Sequence, residues 1–498
     1  MTGLVGLVRE LVGKRVAIVG EAILDSYLVG RADRLCREAP VPIVALQRRV
    51  DAPGGAANTA VNVARLGGNA RFLTVVGRDA EAERLRAGLR AAGVDDADVV
   101  AVAGRETLAK HRLSAEGQII VRFDTGSTEA TDAATEDASI ERLRALHAWA
   151  DAIVVSDYGY GVLTERVVAA LAHLQAADPR VLVVDARDLR RYRRACVTAI
   201  KPNYAEAVRL LGERELGDPR ERAHQVGRHG ARLLELTGAR IAAVTVDTAG
   251  AFFFETNHPP YRTYARPHPE SRAAGAGDTF VAGLALALAA RLETTAAAEI
   301  ASTAASVVVA KDGTASCSRD ELEDALSTTA GKRLESIERL AARASYLHAQ
   351  GRRIVFTNGC FDILHRGHIT YLNRAKALGD VLVVGVNADE SVRRLKGPER
   401  PINGLDDRLE VLEALSCVDL VVPFEADTPI DLIRAVRPHV YAKGGDYSRE
   451  TLPESPLVEA LGGAVQILPL VDDRSTSAIV DRVRGRPRLR AADRATVP

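Results

Sequence analysis

Cysteine is sparse in this 498-residue sequence: Cys36, Cys196, Cys317, Cys360 and Cys417 are scattered, with no C-x-x-C pair. That spacing argues against a disulfide framework and a cysteine zinc site, and it fits free thiols in a reducing cytosol. No stretch approaches the ~20 apolar residues of a membrane span. The N-terminus, MTGLVGLVRELVGKRVAIVG, has no basic segment followed by an apolar run, as a secretory leader would. A cytoplasmic protein without a membrane partner is expected. Lys+Arg and Asp+Glu number 66 each, so zero net charge gives no electrostatic case for nucleic acid. Lysine is scarce, at 8 of the 66 basic residues. A lysine retained against such an arginine bias is a candidate for a place that needs a compact point charge. Four of the eight, Lys110, Lys201, Lys396 and Lys443, fall in the motifs below.

Hydrophobic residues make up 47% and charged residues 27%, enough to build real cores. At ~150 residues per domain the length suggests two or three domains. RVAIVG (15–20), AIVVSDYG (152–159), VLVVDARD (181–188) and IAAVTVDTAG (241–250) are apolar runs ending in polar residues. Such runs are typical of parallel strands covered on both faces, which predicts an α/β fold. Helices are expected over 275–291 and 293–311. The stretch 318–350 is polar and helical in period. A second α/β series follows, with strands at 352–359, 380–389, 419–424, 439–447 and 464–470. Five short parallel strands suggest a doubly wound domain. The expected division is 1–320, a linking helix over 321–350, a second domain over 351–485 and a disordered tail over 486–498.

The strongest motif is TNGCFDILHRGH, 357–368. A strand ends, a turn follows, and a helix begins near Gly367 with His365 and His368 at its N-terminus. Free N–H groups and the positive end of the helix dipole make an anion site there. The histidines can donate to phosphate oxygens as charge builds, so positioning and charge stabilisation carry the chemistry. Thr357, Asn358, Gly359, Phe361 and Asp362 complete the candidate nucleotide site. Lys396 and Lys443 follow later strands, where each can reach a phosphate. Ser475, Thr476 and Ser477 open a final helix, as phosphate ligands or simple caps. The G-x-F-D-x-x-H-x-G-H string resembles the signature of the cytidylyltransferase-like nucleotidyltransferases.

In the first half, Gly275, Ala276, Gly277 and Asp278 precede an Ala/Leu-rich helix. The helix N-terminus can hold a transferring phosphoryl group, and the carboxylate can take a proton from a hydroxyl. PGGAANTA (53–60) and KPNYAE (201–206) accompany it. This trio, in this order, is similar to the ribokinase (PfkB) sugar-kinase family. The resemblance implies a ribokinase-like domain with a small β lid, and Asp278 as base. It places the sugar on Asp25, Gly54, Gly55 and Asn58, and the nucleotide on Asn203, Glu206, Thr245 and Gly275–Gly277. It also implies ATP as substrate and Mg²⁺ held through phosphates or by Glu206. Lys110, Arg112 and Arg122, in a segment that reads as a two-stranded excursion, are basic enough to hold a phosphate on the sugar.

Both halves together, from about Val12 to Val483, resemble the bifunctional heptose kinase/adenylyltransferase family of ADP-heptose synthesis. EAPVPIV, VVSDYG, RLKG, RPIN, FEADTP and KGGDY look like that family's blocks. The resemblance implies phosphorylation of D-glycero-D-manno-heptose 7-phosphate at C1, then adenylyl transfer from ATP to heptose 1-phosphate. It also implies a homodimer paired through the lid. Three positions depart from the pattern. Arg272 stands where the family carries an acidic residue, which argues against a monovalent-cation site. Glu21 replaces a Gly-Asp pair, and Arg187 replaces a lysine. The alternatives are a transferase for another sugar phosphate or NTP, and a degenerate kinase half serving as a binding or dimerisation module.

Overall fold

The computed structural model describes residues 4–264, 273–327, 332–334, 336–445 and 452–469. The chain divides into two compact units, one over Val5–Ala325 and one from Leu326 onward. Arg272, Asp446, Tyr447, Ser475, Thr476, Ser477 and the tail over 486–498 lie outside the described residues.

The first unit is built on a nine-stranded sheet. From one edge its strands are Val99–Val102, Asn69–Gly77, Arg15–Gly20, Ala152–Asp157, Val181–Ala186, Ala199–Ile200 and Ile241–Thr245, all parallel. Ala251–Glu255 and Tyr261–Thr263 extend it antiparallel. Val19, Val155 and Val184 pack in one cluster with Leu143, Leu146, Val167 and Leu171 of the helices Ala133–Trp149 and Glu165–Ala177. The alternate residues Val16, Ile18, Val154 and Val183 are equally buried. Both faces are therefore covered, which is why these strands are apolar throughout rather than alternating. The helices Ala56–Arg65 and Ala276–Ala289 pack against each other and against the central strands. The second is buried almost all round, as its Ala/Leu-rich sequence requires.

Arg15–Gly20 is the first strand, and the chain builds outward from it on both sides. Order reverses between it and Ala152–Asp157, where a crevice opens at the strands' carboxyl ends.

The expected two-stranded lid is a four-stranded sheet, in the order Pro42–Gly55, Ala22–Leu35, Ala109–Ala115 and Gln118–Thr125. The first pair is long and antiparallel, with register shifts between Val29 and Gly30 and between Arg31 and Arg34. Those irregularities break the two-residue alternation by which a strand is read from sequence.

The second unit carries five parallel strands, in the order Leu420–Phe424, Val381–Asn387, Ile354–Gly359, Val440–Gly444 and Ala464–Leu468. Its switch point falls between Ile354–Gly359 and Val440–Gly444. Where the sequence suggests a link, there are two helices, Arg319–Ser327 and Ile337–Ala349. The latter enters the second core, with Leu340, Ala344 and Leu347 beside Phe356, Val383 and Tyr441. No helix among the described residues is long and apolar enough to cross a membrane.

Candidate active sites

In the first unit a cleft of about 380 Å³ lies at the carboxyl ends of the central strands. Its lining includes Lys110, Tyr158, Arg187, Lys201, Glu206 and Asp278. Asp278 sits in the first turn of helix Ala276–Ala289. Asn58 Nδ2 donates to its Oδ2 at 3.0 Å, and the Tyr158 hydroxyl donates to its Oδ1 at 3.0 Å. Burial, with the charge of Asp185 adding to it, pushes the Asp278 carboxyl up to about 6. Gly275 makes this geometry possible. Its φ is +94°, and a Cβ there would lie 2.2 Å from Asn58 Nδ2, so a side chain would strain the backbone and displace the asparagine.

Lys201 is buried and pairs with Asp185 at 2.8 Å. Burial disfavours its ammonium, but Asp185, Glu206 and Asp278 outweigh that and raise its pKa. A Cβ on Gly277 would meet Lys201 Nζ at 3.4 Å, so a fixed cation stands beside the helix N-terminus. Asn203 and Glu206 form a capping box on helix Tyr204–Leu211, each side chain bonded to the other's backbone N–H at 2.9 Å. Their first role is therefore local, although both line the cleft. Thr245 ends its strand and bridges Asn203.

The expected sugar residues divide. Asp25 is buried. It accepts from Arg112 Nη1 at 2.7 Å and from the Thr314 hydroxyl at 2.8 Å. A Cβ on Gly54 would lie 2.2 Å from Asp25 Oδ2, so glycine is required for that approach. Gly55 precedes helix Ala56–Arg65, which carries Asn58. Arg122 pairs with Asp124 at 2.9 Å on an exposed strand, near enough to Asp25 for the two charges to interact. Arg112 is committed to Asp25. Of the three basic candidates, only Lys110 lines the cleft, its Nζ 5.8 Å from the centre of the Tyr158 ring.

Glu21, a departure in the sequence, is fully buried. It accepts the backbone N–H groups of Tyr158 at 2.7 Å and Val162 at 3.3 Å. Burial and the charge of Asp157 push its carboxyl up to about 7. It supports the turn rather than the sugar. Arg187 lies over the Tyr160 ring at 5.2 Å and reaches the cleft.

In the second unit His365 is the N-cap of helix Arg366–Lys376 and accepts the Gly367 N–H on Nδ1 at 3.1 Å. That bond assigns the proton to Nε2. His368 stacks on His365 with ring centres 4.0 Å apart. Burial, then the nearby His365 and Lys396, push the His368 imidazole down to about 3, so it is neutral. Phe361 meets it edge-on at 5.5 Å. At the switch point Lys443 Nζ donates to Asn358 Oδ1 at 2.7 Å, as does the Tyr441 hydroxyl at 2.8 Å. Burial lowers the Lys443 pKa. Gly359 ends the first strand of this sheet, and Lys396 ends helix Asp389–Lys396, exposed.

Two expected nucleotide residues turn inward. Thr357 is buried, and its hydroxyl shares a 2.7 Å hydrogen bond with Tyr371. Asp362 is buried, paired with Arg400 at 2.7 Å, and accepts Ile402 N–H at 2.6 Å. It anchors the loop at 400–403. Arg408, which the motifs do not include, is fully buried and ties three segments together. It donates to the carbonyls of Cys360 at 2.5 Å and Asn387 at 2.8 Å, and to Asp389 at 2.7 Å. The available signal was its place beside Leu409 and Leu412 on the buried side of helix Leu405–Glu413, where an unpaired cation would be costly.

Residues 14–322 match the pfkB family of carbohydrate kinases, and residues 356–477 match the cytidylyltransferase-like family. The first unit shares its fold with Arabidopsis thaliana ribokinase complexed with ribose and ATP, at 18% identity and a TM-score of 0.50. That match covers 63% of this chain and 98% of the other. Fold and motifs together define a carbohydrate kinase joined to a nucleotidyltransferase. The sequence is 41% identical over 478 residues to Bifunctional protein HldE of Azotobacter vinelandii, covering 95% of this chain and 98% of that one. Identity and coverage are the same for Bifunctional protein HldE of Pseudomonas aeruginosa. The chain belongs to the Bifunctional protein HldE family.

Proposed function

We propose that the first unit uses ATP to phosphorylate C1 of D-glycero-D-manno-heptose 7-phosphate. The second unit joins the heptose 1-phosphate to AMP from ATP, giving ADP-heptose and pyrophosphate. A separate phosphatase removes the 7-phosphate between the two steps. The observation that carries this reading is family membership along almost the whole chain, with Asp278 and the His365–His368 pair each at the carboxyl end of a parallel sheet.

In the kinase step the C1 hydroxyl oxygen attacks the γ-phosphorus, its proton passes to Asp278, and ADP leaves. The N–H groups at Gly275–Gly277 and Lys201 receive the phosphoryl charge. Asp25, Gly54, Gly55 and Asn58 hold the sugar. Glu206, which lines the cleft, would hold magnesium together with the ATP phosphates. When bound, it offsets charge on the phosphates. In the transfer step a sugar phosphate oxygen attacks the α-phosphorus and pyrophosphate leaves. His365 and His368 donate to the phosphates, and Lys443 with Asn358 lines the switch point.

A pyrophosphate-release screen of sugar 1-phosphates against each NTP tests the transfer reading. A preference for another sugar 1-phosphate or another NTP overturns it. For the kinase, Lys110→Ala raises KM for heptose 7-phosphate by ~10-fold or more, the scale of one charge-assisted hydrogen bond. KM for ATP stays constant. A rise in the ATP constant alone would move Lys110 to the nucleotide.

The lid also carries exposed apolar side chains. Ile119, Val121 and Phe123 on the edge strand Gln118–Thr125 are exposed. Exposed apolar surface on a sheet marks an association site, and we assign it to a homodimer. Light scattering on the intact chain should give twice the 53.2 kDa chain mass. The Ile119→Asp/Phe123→Asp pair should give the monomer.

A further inference from the structure

Both oxygens of Asp278 already have donors, Asn58 on one and Tyr158 on the other. Asn58 belongs to the sugar motif. Tyr158 does not. It comes from the turn after strand Ala152–Asp157, at the place where the strand order reverses. That turn is held from below. Glu21 accepts the N–H groups of Tyr158 and Val162, and Asp157 accepts the N–H of Gly159 at 2.9 Å. Tyr160 stacks beside the Tyr158 ring with centres 6.4 Å apart. The phenol itself stays protonated, because burial and then the charges of Asp278 and Asp185 push it well above its ordinary value.

From this geometry we infer that Tyr158 is a positioning residue for the kinase base. Its hydroxyl holds the Asp278 carboxylate ionised and oriented to receive the proton of the sugar hydroxyl. Tyr158 keeps its own proton, and the sugar proton ends on Asp278. The inference rests on Asp278 being the base.

The physical contest is between burial, which favours a neutral carboxyl, and donors, which favour the ionised one. The charged groups facing the same cleft are Asp157, Asp185, Lys110, Lys201, Glu206 and Arg187. Tyr158→Phe leaves all of these in place and removes one donor.

The test is the pH profile of kcat for heptose 7-phosphate phosphorylation by the full chain, wild type against Tyr158→Phe. The acid limb should move up by about one unit, the scale of one hydrogen bond to an ionised group. A one-unit move from about 6 lowers kcat roughly fivefold at pH 6 and little at pH 8.5. Both KM values should stay within about twofold, since no substrate contact is lost. An acid limb coincident with wild type would overturn the inference. So would an equal loss at every pH with raised KM, which is the pattern of a disordered cleft. Asp278→Asn in the same assay reports on the base separately. If that variant keeps its activity, the base assignment fails whatever Tyr158→Phe does.

Discussion

Asp278→Asn should abolish sugar phosphorylation and leave nucleotide transfer at its wild-type rate. The asparagine occupies the same volume and can still accept from Asn58 or Tyr158, so the helix start is preserved. It cannot take a proton. General-base assistance is worth ~10²–10⁴-fold, and kcat should fall by that factor. Transfer is unaffected because His365 and His368 stand in the other compact unit. ADP release with heptose 7-phosphate and pyrophosphate release with heptose 1-phosphate read the two activities on one preparation. Wild-type ADP release by the mutant would reject the base role. The wild-type enzyme carries a matching pH signature. Asp278 must be ionised to act, and its pKa is raised to about 6. Kinase kcat/KM should therefore fall as pH drops through about 6.

The second large effect belongs to His368. His368→Ala should lower nucleotide transfer by ~10²-fold or more, as loss of one fixed transition-state donor does, with sugar phosphorylation unchanged. The neutral state of this imidazole sharpens the expectation. A group pushed down to about 3 keeps the same protonation from pH 5 to 8. It acts as a neutral N–H donor, and the transfer profile should show no limb from it in that range. His365→Ala should cost a similar factor. It also removes the N-cap acceptor of Gly367 N–H, so a lower melting temperature of the second unit should accompany it. Unchanged pyrophosphate release in both variants would remove the histidines from the mechanism.

Much of the molecule was legible without coordinates. The strands at 15–20, 152–157 and 181–186 are buried on both faces, so their apolar runs speak for themselves. The TNGCFDILHRGH string predicted a strand, a turn and a helix start near Gly367, and the strand ends at Gly359 and the helix begins at Arg366. Motif order placed a carbohydrate kinase before a nucleotidyltransferase. The lid was half legible, because the bulged pair Ala22–Leu35 and Pro42–Gly55 lacks the alternation that marks a strand.

Chemistry-bearing residues were identified by type and neighbourhood, and side-chain direction is not a local property. Thr357 and Asp362 belong to the motif string, yet one bonds Tyr371 and the other the 400–403 loop. Arg122 pairs with Asp124, two residues on, a partner that its residue type alone does not name. Sequence alone determined the fold class of both halves and the two kinds of chemistry, and it put forward Asp278 as base and His365 with His368 as phosphate donors, because each depends on local periodicity or a contiguous motif. Only the tertiary structure decided that residues 58, 158 and 278 converge on one carboxylate, and that Arg408 ties Cys360, Asn387 and Asp389 together. Such contacts join positions up to 220 apart, and long-range packing sets them.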